Sequence, residues 1–139
     1  MDYETELEIA ITALAELATL HSTFMDTVAT LAKQKVDGGH IGVTENELLA
    51  ECRGVPLRTV HRPVVRDGRL AALEYSFKAQ SGDGDVLVWS MFLEPNGDLH
   101  ADPMAGERVC SSRNTYLAGH IISRLAAALL RSELFAPSK

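Results

Sequence analysis

The chain lacks the features that mark secreted and membrane proteins. Its two cysteines, Cys52 and Cys110, are too few for the disulfide framework of a small secreted domain, and we expect both to be reduced and packed. The longest apolar stretch, residues 117–130, is interrupted by polar side chains and is shorter than the roughly 18 residues that suggest a membrane span. The first residues are acidic, unlike those of a secretory signal. We therefore expect a cytoplasmic protein that makes no membrane contact.

Motifs for catalysis and for metal or cofactor binding are also missing. The five histidines and two cysteines have none of the spacings C-x-x-C, H-x-x-x-H or H-E-x-x-H. The sequence contains no nucleophile elbow, P-loop or dinucleotide-binding fingerprint. The residues 83–85 offer too few oxygen ligands for a calcium loop and predict a turn. The sequence therefore predicts a protein that is not an enzyme and that uses no cofactor and no metal.

Positive charge is scarce and unevenly placed. The net charge is −6, and residues 1–37 contain seven acids but only two bases. Positive charge collects only in residues 38–70, which contain five arginines and four acids. An acidic surface repels the phosphate backbone, whose neutralisation supplies general nucleic-acid affinity. We therefore expect no general affinity for nucleic acid, and we expect a charged protein partner to be basic.

Residues 3–35 have the periodicity of one long amphipathic helix. Apolar side chains recur at seven-residue steps in two interleaved heptad positions. Acids near its start and lysines near its end match the helix dipole. A helix of this length would extend beyond one small domain, and exposed apolar stripes mark association. The predicted interface with a second copy or another partner consists of Leu14, Leu17, His21, Phe24 and Val28.

Residues 46–65, NELLAECRGVPLRTVHRPVV, resemble the helix-turn-helix of DNA-binding regulators. A capping-box pattern predicts a short first helix over about 44–52. Gly54 stands where the turn belongs, and a recognition helix would follow over 56–65. The DNA contacts that this interpretation predicts are Arg58, Thr59, His61, Arg62 and Arg66.

A strand over about 57–65 is the competing interpretation of the same segment. Pro63 is unfavourable in a recognition helix, because proline costs roughly 3 kcal/mol in a helix interior. On an edge strand the missing N–H of Pro63 is tolerated. Asp67-Gly68 would then supply the turn that ends the strand.

The remaining sequence predicts further strands and a second helix. Alternating or continuous apolar runs between turn residues predict strands over about 70–79, 85–94 and 98–101. A dense apolar pattern predicts a largely buried helix over about 112–135. The predicted fold is one α+β domain over residues 1–139. In it, the long N-terminal helix and the buried C-terminal helix pack on a small antiparallel meander of three or four strands.

These features favour a small non-enzymatic protein-binding module that acts as a homodimer, as an acidic adaptor, inhibitor or chaperone-like regulator. A winged helix-turn-helix regulator that binds DNA through residues 56–65 is the alternative. It is supported by the order of a long helix, the motif, a hairpin and a closing helix. A pocket for a small ligand around Tyr75, Trp89 and Tyr116 is a weaker third possibility. The protein-binding and DNA-binding interpretations are distinguished by whether residues 57–65 form a strand or a helix.

Overall fold

The computed structural model describes residues 2–32, 36–82, 84–101, 108–132 and 134. These residues contain two helices and seven strands. The elements are α1 (Tyr3–Leu31), β1 (Gly39–Thr44), β2 (Glu47–Cys52), β3 (Val55–Arg66), β4 (Arg69–Ser81), β5 (Gly84–Leu93), β6 (Asp98–Ala101), β7 (Arg108–Ser111) and α2 (Leu117–Leu130). Each strand pairs antiparallel with the next, so one sheet runs from β1 to β7. This sheet curls into half a barrel.

The predicted meander of three or four strands is wrong, because the sheet has seven strands and dominates the fold. The short helix predicted over 44–52 is also wrong, because β2 and the end of β1 occupy this segment. Glu45 and Asn46 both have positive φ and join the two strands in a two-residue turn, as in type I′ hairpins. Alternate side chains of β2 are buried, which is the period of a strand.

Residues 55–66 form strand β3, so the segment that resembles a recognition helix is extended. Its pairing with β2 ends at Arg58, whereas its pairing with β4 continues to Arg66. Beyond Arg58 the strand therefore has a neighbour on one side only. Pro63 lies in this half of the strand. Because no neighbouring strand lies on the open side, the missing N–H of Pro63 breaks no hydrogen bond there.

Helix α1 begins at a side-chain cap and contains 29 residues. The Asp2 carboxylate accepts a hydrogen bond of 2.8 Å from the backbone N–H of Thr5, and this bond satisfies one of the unpaired donors of the first turn. Apolar side chains on one face make the helix pack on the sheet. Residues 33–35, the last of the predicted helix, lie outside the described residues.

Helix α2 is shorter than the helix predicted over 112–135. It begins at Leu117, because the Asn114 side chain accepts a 2.7 Å hydrogen bond from the N–H of Tyr116 and holds a turn before it. Strand β7 takes the residues before this turn. Residues 133 and 135 of the predicted helix lie outside the described residues. Among the described helices, neither is both long and apolar enough to cross a bilayer.

The core lies between the two helices and the inner face of the curled sheet. Helix α1 contacts β1, β2 and β4, and α2 contacts β1, β2, β5 and β7. Helix α2 therefore reaches both edge strands of the sheet and closes the open side of the curl. Contact is close at Gly39, where an added Cβ would lie 2.2 Å from the carbonyl oxygen of Glu51 and 3.2 Å from Ile122.

Candidate functional site

The apolar face of α1 is covered along one half of the helix and open along the other. His21, Phe24 and Val28 are buried against the sheet of the same subunit. Leu17 is half-buried at the border of the core, and Leu14 is exposed. The five predicted interface residues are therefore divided: three lie inside the subunit, and Leu14 is open to a partner.

Four large apolar side chains continue this face toward the start of the helix. Tyr3, Leu7, Ile11 and Leu14 are 77%, 46%, 56% and 62% exposed. They follow one another at steps of four, four and three residues, which places them on one side of a helix. We call these four residues the open stripe. Leu7 and Leu14 hold the heptad position that His21 and Val28 hold further along, so the same face changes from exposed to buried.

On α1 itself, the charged side chains around the open stripe are all of one sign. Residues 2–32 contain six acids and no lysine or arginine. The carboxylates near the start of α1 face the positive end of the helix dipole, which stabilises them there. The hydrogen bond from the N–H of Thr5 lowers the pKa of Asp2 below its ordinary value. This acidic, apolar half-helix was only partly evident from the sequence, because heptad periodicity does not show which half the sheet covers.

A buried polar cluster fixes α1 on the sheet where the open stripe ends. Nδ1 of His21 lies 2.9 Å from the hydroxyl oxygen of Tyr75, and Nε2 of His21 lies 3.0 Å from the carbonyl oxygen of Asn46. A carbonyl only accepts, so Nε2 donates to Asn46, and in the neutral ring Nδ1 then accepts from Tyr75. Burial raises the pKa of the Tyr75 phenol above its ordinary value, which keeps the hydroxyl protonated.

A second histidine stacks on this cluster. The ring centroids of His21 and His61 are 4.0 Å apart, with the planes inclined by 12°. His61 is largely exposed, and desolvation of the part of its ring that meets α1, with a smaller contribution from the neighbouring His21, lowers its pKa. The sequence singled out both histidines but gave them different roles, and it gave no signal that α1 and β3 would bring them together.

Two of the three arginines of β3 pair with acids of neighbouring strands. Arg58 lies 3.6 Å from the carboxylate of Glu47, and Arg62 forms a salt bridge with Glu74. The Thr59 hydroxyl is buried and donates a 2.7 Å hydrogen bond to the carbonyl of Leu48.

Because β3 is a strand, the predicted DNA contacts do not share a helix. Arg58 and Arg62 point away from the core on one face of β3, whereas Thr59 and His61 point toward the helices. Arg66 is exposed at the end of the strand. The structure therefore does not assemble the five residues into one surface.

The two thiols are buried, and the possible metal ligands among the described residues do not cluster. Cys52 and Cys110 are free and buried, and burial raises the pKa of each thiol. Within the same residues, no group of three or more histidines, cysteines and acids is placed to hold a metal ion. Of the aromatic trio expected to line a pocket, Tyr75 is in the core, Trp89 stacks on Phe77 and Tyr116 is exposed.

Comparison with known proteins found no similarity that reaches significance: no family model matches the chain, nor does any curated protein or any solved structure.

Proposed function

We propose that this protein is a small non-enzymatic protein-binding module that acts as a homodimer through the open stripe of α1. An adaptor, an inhibitor or a chaperone-like regulator would each use such a surface to hold a partner. Protein binding is favoured because the most developed exposed feature of the described chain is an apolar helix face.

The observation that carries the proposal is the change of burial along that face. Apolar side chains exposed singly are ordinary on protein surfaces, whereas a contiguous set on one element marks association. In α1 the set is contiguous, because the half-buried Leu17 joins the open stripe to the buried face, where the polar His21 is buried and hydrogen-bonded. A second copy laid against it would extend the core beyond one subunit.

The size of the open stripe indicates a reversible dimer. It covers about three turns of helix, which is a small surface beside the roughly 800 Å² per partner that a standard interface buries. We therefore expect the monomer and the dimer to exchange as the protein concentration changes.

A matched pair of charge substitutions tests this proposal. Leu14→Glu places a carboxylate in the open stripe, and Leu87→Glu places one on a β5 side chain that is almost equally exposed, 57% against 62%. Static light scattering over a concentration series should show a dimer for the parent and for Leu87→Glu, and a monomer for Leu14→Glu. The proposal fails if the parent is monomeric throughout, or if both variants dissociate to the same extent.

A further inference from the structure

The acids of α1 lie around the open stripe with no base on the same helix, although Arg69 of the sheet lines a groove with Glu8 and Glu16. The six carboxylates of α1 and its N-cap are all exposed: Asp2, Glu4, Glu6, Glu8, Glu16 and Asp26. The salt bridges among the described residues lie on the sheet and its turns, and none involves an acid of α1. The helix therefore presents net negative charge beside its apolar side chains, and Glu4 and Glu6 lie outside the groove that Arg69 lines.

Two of these acids border the open stripe on opposite sides. At about 100° per residue, Glu4 and Glu6 project to either side of the line through Tyr3 and Leu7. In coiled coils, the charged positions flank the apolar interface between the two helices in the same way. A partner helix on the stripe would place its own flanking side chains next to Glu4 and Glu6.

The sign of the charge decides which partner fits best. A second copy of α1 brings only more carboxylates to the edges of the seam, because residues 2–32 contain no lysine or arginine. Like charges at these positions oppose association, and opposite charges favour it. A helix with lysines or arginines on both sides of an apolar stripe would cover the leucines and neutralise the glutamates together.

We propose that the open stripe is a docking site for a basic amphipathic helix of a partner protein, which replaces the second copy of this chain. The inference rests on the proposed binding function and names the partner's chemistry. Recognition is of the helix-in-groove kind, with apolar anchors at spacings of three and four residues. The flanking ion pairs select the partner and accelerate its approach, so binding weakens as salt is added.

A designed peptide replaces the partner in the test. The probe is a fluorescent synthetic helix with leucines on one face and lysines on its flanks, and its binding to the full chain is followed by fluorescence anisotropy. One comparison peptide has glutamates in place of the lysines. Another has the lysine peptide's composition in an order that scatters the leucines around the helix. We expect the lysine helix to bind, salt to weaken it, and both comparison peptides to bind much less.

Matched double variants locate the binding. Removing two exposed ion pairs through Glu4→Gln with Glu6→Gln should weaken the lysine helix by about two- to thirtyfold. Glu51→Gln with Asp85→Asn removes the same charge from exposed sheet positions and should leave binding nearly unchanged. Equal losses in the two double variants would overturn the inference, as would equal binding of the lysine helix and either comparison peptide.

Light scattering on the same samples separates this inference from the homodimer. A dimeric parent that does not bind the lysine helix overturns the docking site and leaves the homodimer standing. A monomeric parent that binds it overturns the homodimer and leaves the docking site. A dimeric parent that the lysine helix converts to a one-to-one complex supports both.

Discussion

His21 illustrates how a polar side chain can occupy an apolar helix face. Its two ring nitrogens contact Tyr75 and the carbonyl of Asn46, so a residue that is only 6% exposed leaves no ring nitrogen unsatisfied. The positive φ of Asn46 belongs to the turn that aims this carbonyl at α1. One hydrogen-bonded ring thus connects the helix, the first hairpin and the fourth strand, and Phe24 packs beside it on the Tyr75 ring.

The stacked ring of His61 predicts a loss of stability in mild acid. Because the folded protein lowers the pKa of His61, the unfolded chain binds its proton first as the pH falls. The neutral ring therefore makes its full contribution to the free energy of unfolding above about pH 6.5, the ordinary pKa of histidine. This contribution decreases as the pH falls from there toward the lower pKa of the folded state. His61→Phe keeps a ring on His21 but cannot titrate, so its free energy of unfolding should change less steeply across this range.

Urea unfolding at a series of pH values measures the difference. His120→Gln, at an exposed position of α2, is the control and should follow the parent. Identical slopes for the parent and His61→Phe would show that the stack does not couple to protons.

At the scale of elements, close packing explains why β1 has a glycine at position 39. The 2.2 Å between its would-be Cβ and the carbonyl oxygen of Glu51 leaves no room for a side chain in the β1–β2 pair. Backbone on one side and Ile122 of α2 on the other limit any adjustment. We expect Gly39→Ala to destabilise the protein by about 1–3 kcal/mol, the usual cost of overpacking.

Gly42→Ala is the matched control in the same strand. Its added Cβ meets nothing within 4 Å, so the free energy of unfolding should stay near that of the parent. Thermal and urea denaturation of both variants measure the contrast. Equal stability of Gly39→Ala and Gly42→Ala would mean that the two strands can separate without cost.

The elements also show what sequence periodicity can and cannot predict. The long apolar repeat of α1 and the strong alternation of β4 are regular over many residues, and the structure has a helix and a strand there. The pattern at Thr44 and Glu47 also fits a capping box, but in the structure these residues face each other across a two-residue turn. A pattern of four residues cannot distinguish the two, because pairing of β2 with β1 and β3, which lies outside the pattern, decides between them. Heptad spacing likewise could not show where the sheet stops covering α1.

At the scale of the whole molecule, α2 holds the curl together. Its side chains Leu117, Ile121 and Leu125 are fully buried, and it reaches β1 and β7 from the inside. The Cys52 thiol lies 3.9 Å from the carbonyl oxygen of Ile122, so this thiol is covered while α2 is docked. Thiol accessibility therefore reports whether the helix is in place.

Leu125→Ala should loosen this arrangement. Removing a fully buried leucine side chain costs about 2–5 kcal/mol, and labelling of Cys52 and Cys110 by a thiol reagent should accelerate accordingly. Leu130→Ala, at the exposed end of the same helix, should change neither the free energy of unfolding nor the labelling rate. Unchanged labelling in Leu125→Ala would show that the thiols become exposed without release of α2.

The contact of α2 with both edge strands has a consequence for biosynthesis. Helix α1 and strands β1 to β7 emerge from the ribosome before α2, so the two edge strands and the part of the inner face that α2 covers are still open in the nascent chain. Unpaired edges beside uncovered apolar surface are where chains aggregate. A nascent chain that has not yet released α2 is therefore the species that would need a chaperone, and docking of these 14 residues ends that need.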